Sequence, residues 1–233
     1  MRVVLVSTRN PLNIGAAARA MSNFGFLDLA LVAPYDASWR EAKSAMGAAP
    51  LLATARVVDS VQEAVADCDL VIGTASVGAR ELRLPVRRLE YGGRLIRKHA
   101  GVRVALLFGS EKYGLSNDDL SLCHWLLRIP TRDEHESMNL GQAVAVCLYE
   151  LARNPKSSQA VPGALSRVDG EALTRIEGRL MEVLAASGYT QPKTVTSTRL
   201  KVRRLLRRMD LATEDAELWL GILRQIAWRI QNP

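Results

Sequence analysis

Asn13, Gly15, Ala16 and Arg19 stand close together near the start of the chain, in the run Asn10-Pro11-Leu12-Asn13-Ile14-Gly15-Ala16-Ala17-Ala18-Arg19. Two later patches share their character: Phe108-Gly109-Ser110-Glu111-Lys112-Tyr113-Gly114-Leu115-Ser116 and Ser137-Met138-Asn139-Leu140-Gly141-Gln142-Ala143-Val144. Each combines small, backbone-permissive residues with a few polar side chains, which lets a main chain approach a ligand closely and still hydrogen-bond to it. All three begin at or soon after a short apolar run, and parallel α/β sheets bind their ligands beyond the carboxyl ends of the strands. A common site is therefore expected. Ser7 to Asn13 contains no glycine, so the phosphate turn of a dinucleotide fold is not favoured. Gly109 to Ser116 has the spacing of a P-loop, but Leu115 stands where the lysine is needed and Glu111 would repel phosphate. Alone, that patch also fits a plain strand-to-helix turn. Gly73-Thr74-Ala75-Ser76 adds small residues after another apolar run, able to admit the edge of a purine or ribose.

Taken together, the three patches resemble those of the SPOUT-class RNA 2'-O-ribose methyltransferases of the SpoU/TrmH superfamily. Over nearly the whole chain the layout is similar to the TrmJ-type tRNA enzymes. The resemblance implies an α/β parallel-sheet SPOUT fold with a trefoil knot over Ile129 to Leu140, an exception to the rule that chains do not knot, followed by a small all-α domain. It implies S-adenosyl-L-methionine as methyl donor, without a metal, at the positions Thr74, Ala75, Ser76, Gly109, Ile129, Glu136, Ser137 and Met138. It also assigns catalysis to Arg19 beside Asn13, with Ser137 and Asn139 placed to hydrogen-bond the ribose hydroxyl or the donor's carboxylate. In that setting Glu111 shapes the cleft or holds a basic neighbour. The implied reaction is 2'-O-methylation of cytidine or uridine in tRNA, at nucleotide 32 of the anticodon loop, by a homodimer whose sites lie at the subunit interface. A ribosomal RNA methyltransferase of the same class and a non-catalytic RNA-binding assembly factor are the alternatives.

Physical chemistry limits what Arg19 can do. It lies off the stripe Ile14, Ala17, Ala18 and Met21, so packing does not require it, and a solvated surface arginine is the ordinary reading of such a position. A guanidinium titrates above about 12 and is no general base. Clamping a substrate phosphate and stabilising a developing alkoxide suit it better, with the proton leaving to that phosphate or to water.

The elements that must position these groups are legible as runs and periodicities. Val3 to Val6, Leu29 to Val32, Leu70 to Ile72, Val104 to Phe108 and Trp125 to Ile129 read as continuous apolar strands, the mark of a parallel sheet covered on both faces. Helical spacing links Ile14, Ala17, Ala18 and Met21, and again Leu140, Ala143, Val144, Cys147, Leu148 and Leu151, with Asn139 as N-cap and Gln142 completing a capping-box pattern. Linker composition from Asn154-Pro155 to Gly163 divides the chain into a catalytic-type domain, 1–156, and a helical RNA-recruiting domain, 157–233. In the latter, three apolar stripes are expected to be buried: Leu173, Ile176, Leu180, Met181 and Leu184; Val202, Leu205, Leu206 and Met209; and Leu218, Ile222 and Ile226.

Thirty-one Lys and Arg against 24 Asp and Glu give a net charge of +7, which favours a polyanionic partner. Six of those cations crowd Arg199 to Arg208 without an acid, so Arg203, Arg204, Arg207 and Arg208 are expected to face RNA phosphate, with Arg80 on a second basic stretch. Cys68, Cys123 and Cys147 are widely spaced in apolar sequence and read as core thiols. No apolar run approaches the roughly 20 residues of a membrane span, so a cytoplasmic protein without membrane contact is expected.

Overall fold

Val3 to Val6 and Val104 to Phe108 lie side by side at the centre of a parallel sheet. The computed structural model describes residues 1–35, 39–40, 42–75, 84–99, 101–153 and 167–232. Among these, the strands are β1 (Arg2–Val6), β2 (Asp28–Val32), β3 (Arg56–Val58), β4 (Leu70–Thr74), β5 (Val86–Arg88), β6 (Val104–Phe108) and β7 (Trp125–Arg128), in the order β3-β2-β1-β6-β4-β7-β5. All five strands expected from the apolar runs are present. The additional ones, β3 and β5, are the three-residue edges.

Alternation along each strand feeds two cores. Val3 and Leu5 of β1, with Leu106 and Phe108 of β6, face one layer, formed by α1 (Pro11–Phe24), α2 (Ala49–Ala53), α4 (Leu89–Lys98) and α6 (Leu140–Ala152). Val4 and Val6, with Ala105 and Leu107, face α3 (Val61–Ala64) and α5 (Asn117–Ser121) on the other side. Both faces are covered, which is why the strands read as unbroken apolar runs. Cys68, Cys123 and Cys147 are buried and free.

The helix starts are set locally. Asn10 caps α1 by accepting from the Leu12 amide at 2.9 Å, with Pro11 at the first helical position, where its missing N–H costs nothing. Asn139 caps α6 as expected, accepting from the Gln142 amide. The two helices pack tightly because Gly141 has no side chain: a Cβ there would come within 2.7 Å of the Ala16 methyl.

The C-terminal helices are α7 (Gly170–Ala186), α8 (Val195–Met209) and α9 (Thr213–Gln231), around their own core of Leu173, Ile176, Met181, Val202, Leu206 and Leu223. The expected boundary at 156/157 lies outside the described residues. The start of α7 is fixed to the sheet domain: Gly170 donates to the Cys68 carbonyl at 3.1 Å and Glu171 to the Ala66 carbonyl at 2.8 Å.

Two of the three expected stripes are corrected here. On α8, Leu205 and Met209 are exposed, while Val202, Leu206 and Arg207 are buried. On α9, Leu218 is 62% exposed and Ile222 and Ile226 are also open; Ala216 and Leu223 are buried, with Trp219, Leu220 and Ala227 packed beside them. The buried faces are set by packing against α7, and an arginine stem can lie along an apolar surface much as a leucine does. Among the described residues no helix is long and apolar enough to cross a membrane.

Candidate active site

The carboxyl ends of β4, β6 and β7 meet at one end of the sheet. Thr74 closes β4 by donating its hydroxyl to the Leu107 carbonyl at 2.9 Å, and Ala75 extends the pairing by donating its amide to Leu127. Past β6 the chain turns through Gly109 to Leu115. Gly109 has to be glycine, because a Cβ would overlap the backbone of Gly114 and Leu115. Gly114, at φ 66°, donates back to the Ser110 carbonyl at 2.8 Å and closes the loop. α5 begins at once, capped by the reciprocal pair Ser116 and Asp119.

Between this loop, the end of β4 and the segment after β7 lies a cavity of about 360 Å³. Seven of the positions expected to hold the methyl donor line it: Thr74, Ala75, Gly109, Ile129, Glu136, Ser137 and Met138. Ser76 lies outside the described residues. Sequence reasoning gave no site role to Leu120, Leu127 and Thr131, which also line the cavity, and marked Leu115 only as standing where a P-loop lysine would. Leu127 belongs to a strand already legible as such, and Leu120 lies one helical turn past the Ser116 cap, so the strand and cap patterns carried the signal. The Thr131 hydroxyl donates to the Glu136 carbonyl at 3.3 Å and holds the segment after β7 against itself.

At one side of the cavity three polar side chains join. Asn13 donates from Nδ2 to Glu111 Oε1 at 2.7 Å, and Asn139 donates from Nδ2 to Asn13 Oδ1 at 2.9 Å. Glu111 also accepts from the amides of Arg9 at 3.1 Å and Asn10 at 3.2 Å. Burial alone would raise the Glu111 pKa, but these donors outweigh it and the carboxyl titrates below its usual range. Glu111 is therefore an anion at neutral pH that fixes the start of α1. Its hydrogen-bond partners among the described residues are amides, not the cation expected as one of its two roles.

Arg19 stands on the exposed face of α1 and does not line the cavity within this chain. Among the basic residues, Arg204 is half-buried and Arg208 exposed, whereas Arg203 and Arg207 turn inward. Arg203 pairs with Glu177 at 2.8 Å and with Asp118 at 2.8 Å. Arg207 is only 2% exposed, and burial lowers its pKa to about 10; its Nη1 has no partner among the described residues. The expectation that both face solvent is thus corrected: Glu177 and Asp118 draw Arg203 into the seam between the helices and the sheet domain, and Arg207 is buried beside it. Arg80 lies outside the described residues.

The sequence pattern of the SpoU rRNA Methylase family matches residues 1–149, from β1 almost to the end of α6. The chain belongs to that family. Within the SpoU family its similarity extends through the helical tail: it is 35% identical to the tRNA (cytidine/uridine-2'-O-)-methyltransferase TrmJ of Sodalis glossinidius, over 97% of this chain and 91% of that protein. The crystal structure of TrmJ from Z. mobilis ZM4 superposes with a TM-score of 0.84 at 33% identity, covering 97% of this chain and 98% of that one. The SpoU methyltransferase AviRb from Streptomyces viridochromogenes, solved in complex with AdoMet, shares the fold over 68% of this chain and 59% of that one, with a TM-score of 0.53 at 22% identity.

Proposed function

We propose that this chain transfers the methyl group of S-adenosyl-L-methionine to a ribose 2'-hydroxyl of tRNA, at cytidine or uridine 32 of the anticodon loop. The observation that carries this reading is the hydrogen-bonded chain Asn139, Asn13 and Glu111, which ties three separate segments, the start of α6, the first turn of α1 and the loop after β6, together beside a cavity walled by Gly109, Ile129 and Met138. At about 360 Å³ the cavity falls in the range of small-molecule sites, roughly 300–1,000 Å³. Its walls suit a nucleoside-like donor: Leu115, Leu120, Leu127 and Ile129 offer an apolar slot, while Ser137, Glu136 and Thr131 supply polar atoms. When bound, the donor supplies an already activated methyl on a sulfonium.

What remains for the protein is positioning. Ser137 and Asn139 orient the attacking hydroxyl or the donor's carboxylate, and Asn13 is held in register by Glu111. Arg19 is exposed and does not line the cavity of its own chain, which supports a homodimer in which it serves the partner's cavity. There its guanidinium clamps the substrate phosphate and stabilises the developing alkoxide, and the proton passes to that phosphate or to water. Residues 1–156 form the knotted catalytic domain in this reading and 157–233 the tail. Lys201, Arg204 and Arg208, on the open side of α8, are the tail's phosphate contacts. The protein works in the cytoplasm with its tRNA.

Methyl transfer from labelled S-adenosyl-L-methionine to unmodified tRNA transcripts, followed by nuclease digestion, tests the proposal. A 2'-O-methylated pyrimidine in the anticodon loop is expected. Incorporation into ribosomal RNA only would reassign the acceptor, and donor binding without transfer to either RNA would leave an RNA-binding factor.

A further inference from the structure

Arg203 is expected from sequence to touch RNA, yet its side chain is 13% exposed and its hydrogen bonds lie within the protein. Nε and Nη2 reach Glu177 of α7 at 2.8 and 3.2 Å, inside the tail. Nη1 crosses to the sheet domain, donating to Asp118 Oδ1 at 2.8 Å and to Ser121 Oγ at 3.3 Å. Asp118 and Ser121 are three residues apart and neighbours on one face of α5. Between them in sequence, Leu120 is buried and lines the donor cavity.

α5 is a short helix with little stability of its own. It continues directly from the Gly109–Leu115 loop, through the Ser116 cap, and that loop forms one wall of the cavity. A displacement of α5 therefore moves Leu120 and the loop together. The tail's grip on α5 is firm at its other end: Glu177 is nearly fully buried, and the start of α7 is hydrogen-bonded to Cys68 and Ala66.

The geometry points to Arg203 as a positioning residue for methyl transfer, which sets α5 and so the loop wall of the donor cavity from the tail. This rests on the methyltransferase reading above. The tail is then a brace for the donor site in addition to any part in holding RNA.

Full-length chains carrying Asp118→Asn, Arg203→Lys and both changes separate the possibilities. Asp118→Asn leaves the Arg203–Glu177 pair intact, so the tail keeps its internal fold; Arg203→Lys keeps the charge but loses the fork. Donor affinity by calorimetry, KM and kcat for methyl transfer, and tRNA affinity as a function of salt are the readouts. Each single change is expected to raise the KM and Kd for S-adenosyl-L-methionine about five- to tenfold, to leave the tRNA salt dependence unchanged, and to combine without adding. Donor binding at the wild-type level in both single variants would overturn the brace, as would a lone loss of salt dependence with tRNA, which would make Arg203 a phosphate contact. A wild-type chain that bound no donor would remove the methyltransferase reading itself, and the brace with it.

Discussion

Asn13 and Glu111 are 98 positions apart in sequence and 2.7 Å apart across the hydrogen bond that joins them. That bond, with the Arg9 and Asn10 amides on the same carboxylate, makes the start of α1 depend on the loop after β6. Glu111→Gln keeps the size but offers one oxygen for three donors and turns an N–H pair toward them. Methyl transfer is expected to fall about 10- to 100-fold, the loss of one to two charge-assisted hydrogen bonds, in kcat more than in donor affinity. An unchanged kcat would show that the α1 start is held by other means.

Arg19→Ala should lower kcat by on the order of 10²-fold or more while leaving donor binding intact, as for a lost transition-state donor. Mixing that variant with one disabled in the donor cavity provides a sharper test. If Arg19 serves the partner's cavity, heterodimers recover activity; if it serves its own, they do not.

The exposure of the basic residues on α8 separates their roles. Arg208→Ala, and to a lesser degree Arg204→Ala, should weaken tRNA binding and flatten the log–log salt dependence by up to about 0.7 to 0.9 each. Arg207→Met should leave that slope unchanged and hold or raise Tm, since a buried guanidinium lacking a partner on Nη1 gives way to an apolar side chain of similar length. A shallower slope in Arg207→Met would return it to the RNA surface.

His124 is buried beside β4, where its Nδ1 accepts from the Val71 amide at 3.0 Å. Burial, with Arg207 nearby, lowers its pKa to about 3. The folded state thus holds the ring neutral while the unfolded chain takes up a proton below about pH 6.5. Stability from this group is complete above that pH and declines as pH falls toward 3, by about 2 kcal/mol at pH 5. His124→Asn keeps an acceptor for Val71 without titrating. Melting curves between pH 7 and 4 should lose part of their acid slope in that variant; an identical slope would mean other groups carry the acid response.

Where sequence sufficed and where it did not follows from burial. β1 and β6 were legible because both faces of each strand are covered, so no polar residue interrupts them. β3 and β5 escaped notice because three residues at an edge, partly open to water, carry no run and no alternation. The loops converging on the cavity could be read, since their glycines and small residues mark close backbone approach. The partner of Glu111 could not, because which donor fills a carboxylate is decided by how two distant loops meet. On α8 the same limit misled: Arg203 and Arg207 look like solvent-facing residues until Glu177 and Asp118 are brought beside them, after which Leu205 and Met209 occupy the open side.

The short outer strands bear on how the protein behaves at high concentration. β3 presents Arg56 and β5 presents Arg88 at the two margins of the sheet, both exposed. An outermost strand leaves amide and carbonyl groups that another molecule can extend, and positive charge on a margin only three residues long opposes that growth. A lattice of strands joined margin to margin would set these arginines against those of its neighbours. Self-association by strand addition is thereby disfavoured.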